Sequence, residues 1–184
     1  MKHGLKKPLG TAFFQRDPVV VARELLGKVL LHTHNHQTIA GVITETEAYG
    51  GADDPASHAF RGKTARNWPM FEGAGLVYVY LIYGVHYCFN VTAGQRGDVG
   101  AVLIRSLLVL PDYQQVVGPG KAGKTMGFTR ADTGMRVTDP QSQVVFQDWG
   151  LQPLSASTTT RIGIRRGTDK PWRFTTTGVS ARQT

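Results

Sequence analysis

Two carboxylates and one guanidinium are the side chains best placed to do chemistry. In Thr44-Glu45-Thr46-Glu47-Ala48-Tyr49, the alternation of an extended chain puts Glu45, Glu47 and Tyr49 on one face. The neighbouring residues read as a half-buried strand, so the two acids need partners. Arg105 poses the complementary problem. It interrupts Ala-Val-Leu-Ile before it and Ser-Leu-Leu-Val after it, where an unpaired guanidinium is expensive. A carboxylate from Glu45 or Glu47 meets both needs. Two outcomes fit this pairing: a structural buried ion pair, or a water held between Glu47 and Arg105.

Aromatic residues crowd one third of the chain: Tyr49, Phe60, Trp68, Phe71, Tyr78, Tyr80, Tyr83, Tyr87 and Phe89. Core packing is the ordinary use of such rings, and Tyr78 and Tyr80 share a strand face. Beside a carboxylate and an arginine, tyrosines also suit a pocket that stacks a nucleobase. His32, His34 and His36 form an H-x-H-x-H series that runs into a turn without a nearby Cys or carboxylate, so a solvated hairpin is expected, with no metal and no cofactor. His58 follows the acidic loop Asp53-Asp54-Pro55 and precedes Arg61 and Lys63, where it either bonds a ligand or caps the loop. Gly118 to Thr125 matches the phosphate-binding pattern G-x-x-x-x-G-K-T letter for letter. That pattern needs a buried strand before it and a helix after it, whereas only Val116-Val117 precede and Met126-Gly127-Phe128-Thr129 starts a helix poorly.

The elements that must carry these residues are partly legible. Asp17-Pro18 reads as an N-cap with proline at the first helical position, and Val19, Ala22 and Leu26 recur at helical spacing before Gly27. Val29 to Leu31 and Ile39 to Tyr49 read as strands joined by a turn at Asn35. Val77 to Ile82 and Tyr87 to Val91 read as a hairpin with Tyr83 at its tip, and Ala101 to Leu110 as a further strand. Beyond Pro111 the chain is rich in Gly, Thr and polar residues and is expected to be loop-rich.

A length of 184 residues with 41% hydrophobic composition fits one domain, residues 1–184, with a core that needs no staples. Cys88 is the single cysteine and sits in an apolar run, so it reads as core and implies a reducing compartment. No apolar run approaches the length of a bilayer span, and a soluble cytoplasmic protein is expected, nucleoid-associated if bacterial. Lys and Arg outnumber Asp and Glu by 21 to 13, a formal charge of +8, which favours a polyanionic partner. From Val29 to Phe60 there is no Lys or Arg, so a basic surface surrounds an acidic island.

The ordered set Glu45-Thr-Glu-Ala-Tyr49, Ala56-Ser-His58, Arg66-Asn67, Met70-Phe71, Tyr78-Val-Tyr80, Tyr83-Gly84 and Cys88-Phe-Asn90 resembles the alkyladenine (3-methyladenine) DNA glycosylases, the methylpurine glycosylases. The match resumes at Gly118-Pro-Gly-Lys121, Arg161-Ile-Gly-Ile164 and Pro171-Trp-Arg-Phe174. The resemblance implies a single mixed α/β (α+β) domain, akin to the formyltransferase C-terminal domain, built around a curved, mostly antiparallel sheet with flanking helices. It implies a monofunctional, cofactor-free enzyme, acting as a monomer on double-stranded DNA and excising alkylated or deaminated purines. It assigns Glu47 as general base, with Arg105 and the carbonyl of Ile162 holding the water. Tyr49, His58, Tyr80 and Asn90 would form the base pocket and Tyr83 the wedge, with Arg61, Lys63, Arg66, Lys121 and Arg161 on the DNA backbone. The alternatives are a catalytically inactive binder of distorted DNA and a P-loop nucleotide-binding enzyme. Two departures stand out: Ala122-Gly123-Lys124-Thr125 replaces the family's usual apolar continuation, and the stretch before Pro171 is short.

Overall fold

The computed structural model describes residues 6–182. In chain order the elements are β1 (Lys7–Pro8), α1 (Thr11–Phe14), α2 (Pro18–Glu24), β2 (Val29–His34), β3 (Gln37–Tyr49), β4 (Val77–Ile82), β5 (His86–Thr92), β6 (Ala101–Val109), β7 (Gln114–Val117), α3 (Pro119–Met126), β8 (Val144–Asp148), β9 (Leu151–Pro153), β10 (Ala156–Thr159), β11 (Arg173–Thr176) and β12 (Val179–Ala181). Asp17 caps α2 as its sequence demands, its carboxylate accepting the Val19 N–H at 2.7 Å. The stretch beyond Pro111 is not the loop-rich tail expected. It supplies α3 and six of the strands, each of only three to five residues, too short for a periodic pattern to mark them.

One antiparallel sheet runs β1-β8-β2-β3-β6-β5-β4, with β7 added to β6 and the β10–β11 pair added to β3. Its two long strands change partners along their length. One edge of β3 pairs with β2 through residues 37–42 and with β11 through 45–47, while its other edge follows β6. Likewise β6 pairs with β5 at one end and with β7 at the other. A sheet whose neighbours diverge in this way curls strongly, and this produces the mixed α/β single domain with few helices. The β3–β6 register is interrupted where Ile43 pairs with Leu107, Glu45 with Ser106 and Thr46 with Ile104, leaving Thr44 and Arg105 outside the ladder.

Strand alternation then separates two faces. Thr46, Ala48, Val102, Ile104, Phe89, Val91, Val77, Val79 and Phe174 face the main core together with Val21, Ala22 and Leu25 of α2 and its C-cap and Met126 of α3. The opposite face carries Glu45, Glu47 and Tyr49 on β3, Leu103 and Ala101 on β6, Asn90 and Cys88 on β5, and Tyr78 and Tyr80 on β4, each paired across the ladder with its neighbour. No helix among the described residues is long and apolar enough to cross a membrane.

The P-loop match has a packing explanation. Gly118 takes a φ of 100°, and α3 begins at the next residue, so Gly120 and Gly123 lie inside the helix. A Cβ on Gly123 would sit 2.0 Å from the Tyr87 carbonyl oxygen, and one on Gly120 2.9 Å from the His86 Cβ. These glycines let the helix lie directly on β5, so the segment is helix where the P-loop pattern calls for an open loop.

His32 also departs from expectation. It is 1% exposed, stacked on Phe128 with ring centroids 4.4 Å apart, and its Nδ1 lies 2.7 Å from the Met126 carbonyl while Nε2 faces Asp132 at 3.6 Å. His34 and His36 remain exposed at the hairpin end. Burial pushes the His32 pKa down, but Asp132 and the Met126 carbonyl outweigh it and raise the value above its ordinary 6.5. A raised folded-state pKa gives stability that is full below 6.5 and lost as pH rises through the folded value. Urea midpoints are therefore expected to fall as pH rises from 6.5, and His32→Gln is expected to flatten this slope. An unchanged slope would remove His32 as its source.

Candidate active site

The bulge in the β3–β6 ladder brings both acids to Arg105. Arg105 Nε donates to Glu45 Oε1 at 3.0 Å, and its Nη1 lies 3.3 Å from Glu47 Oε2. Glu45 is further tied by the Ser106 hydroxyl and by Arg173 Nε at 2.6 Å, Arg173 standing on β11 opposite Glu47. Burial pushes the Glu45 carboxyl up, but Ser106 and the two arginines together hold it below the usual carboxylate range. Glu45 is thus fully engaged as the structural anchor of Arg105.

Glu47 has no exposed surface and a different set of partners. Tyr49 donates its hydroxyl to Oε2 at 2.7 Å, and the Ile162 N–H donates to Oε1 at 2.7 Å. Both hydrogen bonds come from donors, so both oxygens of the group act as acceptors. Burial and the Glu47 charge push the Tyr49 phenol far up, which keeps it an O–H donor.

Tyr49, Arg105 and Ile162 cover Glu47 and at the same time line a cavity of about 250 Å³. Its walls include His58, Tyr78, Tyr80 and Asn90, with Arg66, Tyr83 and the Ile162 to Ile164 segment around it. The volume falls just below the roughly 300–1,000 Å³ typical of drug-sized ligands and suits one planar ring system. Tyr78 and Tyr80 sit two residues apart on β4, and His58 lies edge-on to Tyr80 at 4.6 Å with its Nδ1 2.9 Å from the Tyr78 hydroxyl. Packing against these rings, and then the charge of Arg66, lower the His58 pKa, so its imidazole is neutral near pH 7. The Tyr78 phenol is pushed up to about 12 by burial, partly offset by Arg66. Asn90 Nδ2 donates to the carbonyls of Tyr78 at 3.0 Å and Cys88 at 3.3 Å, which fixes the amide at the pocket wall.

The β4–β5 turn presents Tyr83 at the hairpin tip. Tyr83 has φ 52° and Gly84 φ 72°, the two positive values of a type I′ turn. A bulky residue at the first of these positions is strained, and Tyr83 is 86% exposed beside Val85 at 70%. An exposed aromatic in a strained turn at a cavity mouth marks a contact surface.

Among the basic residues expected on a DNA backbone, Arg61, Lys63, Arg66 and Lys121 are exposed, and Arg66 also lies over the Tyr80 ring at 5.2 Å. Lys63 is paired with Glu72. Arg161 is placed elsewhere: its side chain is fully buried on Asp54, so it cannot reach a phosphate and leaves the backbone set. Ile162 is also tied to Glu47 directly through its own N–H, a contact that the sequence does not reveal. Sequence reading missed Arg173 and Asp54 as parts of the site, because their partners lie 128 and 107 residues away.

The family profile for methylpurine-DNA glycosylase (MPG) matches residues 12–180. A protein of Rickettsia felis is 45% identical over 91% of this chain and 92% of its own length. One of Sodalis glossinidius is 43% identical over 90% and 95%, and one of Koribacter versatilis 40% over 93% and 90%. All three carry the name "Putative 3-methyladenine DNA glycosylase". The aromatic cavity backed by Glu47, the exposed Tyr83 at its mouth and matches over nine-tenths of the chain lead to one conclusion: the chain belongs to the methylpurine-DNA glycosylase family of DNA repair enzymes.

Proposed function

We propose that the protein is a monofunctional glycosylase that takes alkylated or deaminated purines out of duplex DNA and hydrolyses their N-glycosidic bond. Its substrates are 3-methyladenine, 7-methylguanine, hypoxanthine and ethenoadenine, and it acts as a monomer in the cytoplasm, nucleoid-associated if the source is bacterial. The observation that carries this reading is Glu47, a buried carboxylate that meets only donors and lies directly behind a base-sized aromatic cavity.

The chemistry follows from that arrangement. A base inside a duplex is out of reach, so the nucleotide rotates out at a cost of about a few kcal/mol, least for damaged or mispaired bases. Tyr83 fills the vacated stack, and Tyr49, His58 and Tyr80 enclose the base. Alkylation at N3 or N7 makes the purine cationic, and tyrosine faces attract it by roughly 0.5–2 kcal/mol. Asn90, held by two backbone carbonyls, disfavours the 2-amino group of normal guanine. A carboxylate has about four acceptor positions; hydrogen bonds from Tyr49 and Ile162 fill two, and the Arg105 ion pair at 3.3 Å covers the second position on Oε2. The remaining one, on Oε1, accepts a water proton while Arg105 and the Ile162 carbonyl orient the water. Its oxygen then attacks C1′, the bonding pair leaves with the base, and a cationic purine departs neutral without further protonation; a neutral base such as hypoxanthine departs with the same pair and takes up a proton from water, matching the one that Glu47 has accepted. No lysine lines the cavity among the described residues, which supports hydrolysis without a Schiff base.

The test is release of free base from duplexes that each carry one of these lesions, in the presence of a metal chelator. Free base with strands that break only on alkali treatment is expected. Salt-dependent binding with no base released would instead make the protein a catalytically inactive binder of distorted DNA. Tyr83→Ser is expected to lower release from a fully paired duplex about tenfold, equivalent to about 1.4 kcal/mol. The loss should be smaller opposite a mismatch, where flipping costs less. Equal rates on paired DNA would remove the wedge role.

A further inference from the structure

We infer that the buried Arg161–Asp54 pair is a positioning device for the reaction centre, fixing Ile162 against Glu47 and the Tyr49 ring at the cavity wall. This rests on the Glu47 chemistry proposed above and adds two residues to it.

Both side chains are without exposed surface, and the pair is bidentate: Arg161 Nη1 donates to Asp54 Oδ2 at 2.6 Å and Nη2 to Oδ1 at 2.7 Å. Nη1 also donates to the Ala48 carbonyl at 2.9 Å, and Nη2 to the Gly167 carbonyl at 3.3 Å. The guanidinium therefore grips the backbone beside Glu47 and both ends of the loop that carries Ile162. It also contacts two rings, 4.8 Å from the centroid of Tyr49 and 5.1 Å from that of Trp172. Asp54 extends the grip to the loop before His58, accepting the N–H groups of Gly50 at 2.9 Å and Ala56 at 3.2 Å. Burial raises the Asp54 pKa, but Arg161 and these N–H groups outweigh it, and the group stays charged. One ion pair thus ties together three segments that bear on the cavity.

Two features speak against a role in stability alone. A buried ion pair rarely stabilises a fold more than apolar residues of the same volume. This one also leaves Arg161 Nε buried without a partner. Gly167 has φ +63°, and a Cβ there would lie 3.1 Å from Arg161 Nη2, so the loop backbone is shaped to the guanidinium itself. Lysine cannot reproduce such a fork. What the arrangement provides is a fixed Ile162, adjacent in sequence to the clamp and bonded to Glu47 at 2.7 Å.

Wild type, Glu47→Gln, Arg161→Lys and Asp54→Asn are compared on one hypoxanthine-bearing duplex. Three quantities are read: single-turnover base release, Kd for a duplex carrying a tetrahydrofuran abasic analogue, and near-ultraviolet circular dichroism at the assay temperature. Release is expected to fall roughly 100-fold in Arg161→Lys and Asp54→Asn with Kd within about threefold of wild type, the signature of a misplaced reacting group. Both variants should be folded. Wild-type release rates in the folded variants, a loss confined to DNA binding, or failure of both to fold would each overturn the inference. If wild type releases no base, or Glu47→Gln releases it as fast as wild type, the underlying glycosylase reading fails instead.

Discussion

Glu47→Gln is expected to lower single-turnover base release by about 1,000-fold or more while leaving affinity for damaged duplex nearly unchanged. The substitution keeps the shape of the side chain but removes the acceptor to which the proposed mechanism gives the water proton. It also removes a charge that three donors share. A glutamine has one acceptor oxygen to offer Tyr49, Ile162 and Arg105, and its amide N–H groups must face at least one donor. Folding should survive, because Arg105 remains paired with Glu45. The cavity walls proposed to receive the base, Tyr49, His58 and Tyr80, are untouched, which is why binding should persist. Release kinetics and titration of a labelled lesion duplex separate the two effects. Parallel loss of binding would mean that Glu47 shapes the pocket rather than drives the reaction.

Arg105→Leu is expected to have the largest effect on stability, about 3–5 kcal/mol at neutral pH. The guanidinium serves two buried carboxylates at once, and leucine leaves Glu47 facing only two neutral donors. Glu45 keeps Arg173, so the penalty comes mainly from Glu47. The pH dependence has a definite sign. In the wild type the Glu45 pKa lies below its ordinary 4.5, so its contribution is present above 4.5 and lost as pH falls below it. Removing Arg105 weakens that contribution, and the gap between wild type and variant should narrow in acid. Urea unfolding at neutral and at acid pH measures both. A variant as stable as wild type at neutral pH would contradict the paired-carboxylate arrangement.

Local signals in the sequence carried the fold some distance. Asp17-Pro18 marked α2, and the β-branched and aromatic runs marked β4, β5 and β6, because a cap and a period of two are written in adjacent residues. The shared face of Glu45, Glu47 and Tyr49 followed from the same alternation. The pairing of Arg105 with a glutamate was legible because an isolated charge in an apolar strand demands one. Which glutamate was not, and the bulge answers with both.

What remained hidden depends on distant partners. Arg161 looks like any basic residue in an exposed loop, and only the fold reveals that Asp54, 107 residues earlier, buries it. Arg173 joins the site because β11 adds to β3 beyond the end of the β2 ladder, an outcome of sheet curl that no local pattern encodes. His32 follows the same logic. The strand alternates correctly, but α3 and the Phe128 segment cover that face from 94 and 96 residues away. The glycines of Gly118 to Thr125 spelled a phosphate loop and instead admit a helix onto β5.

In the proposed reaction a damaged purine enters the Tyr49, His58 and Tyr80 cavity and meets a water activated by Glu47. A crystal structure of the Glu47→Gln protein bound to a duplex with a single ethenoadenine tests it most directly. The expected structure holds the base inside the cavity, Tyr83 in the vacated stack, and a water between residue 47, Arg105 and C1′. A base still stacked in the duplex, or flipped onto another surface with the cavity empty, would contradict it.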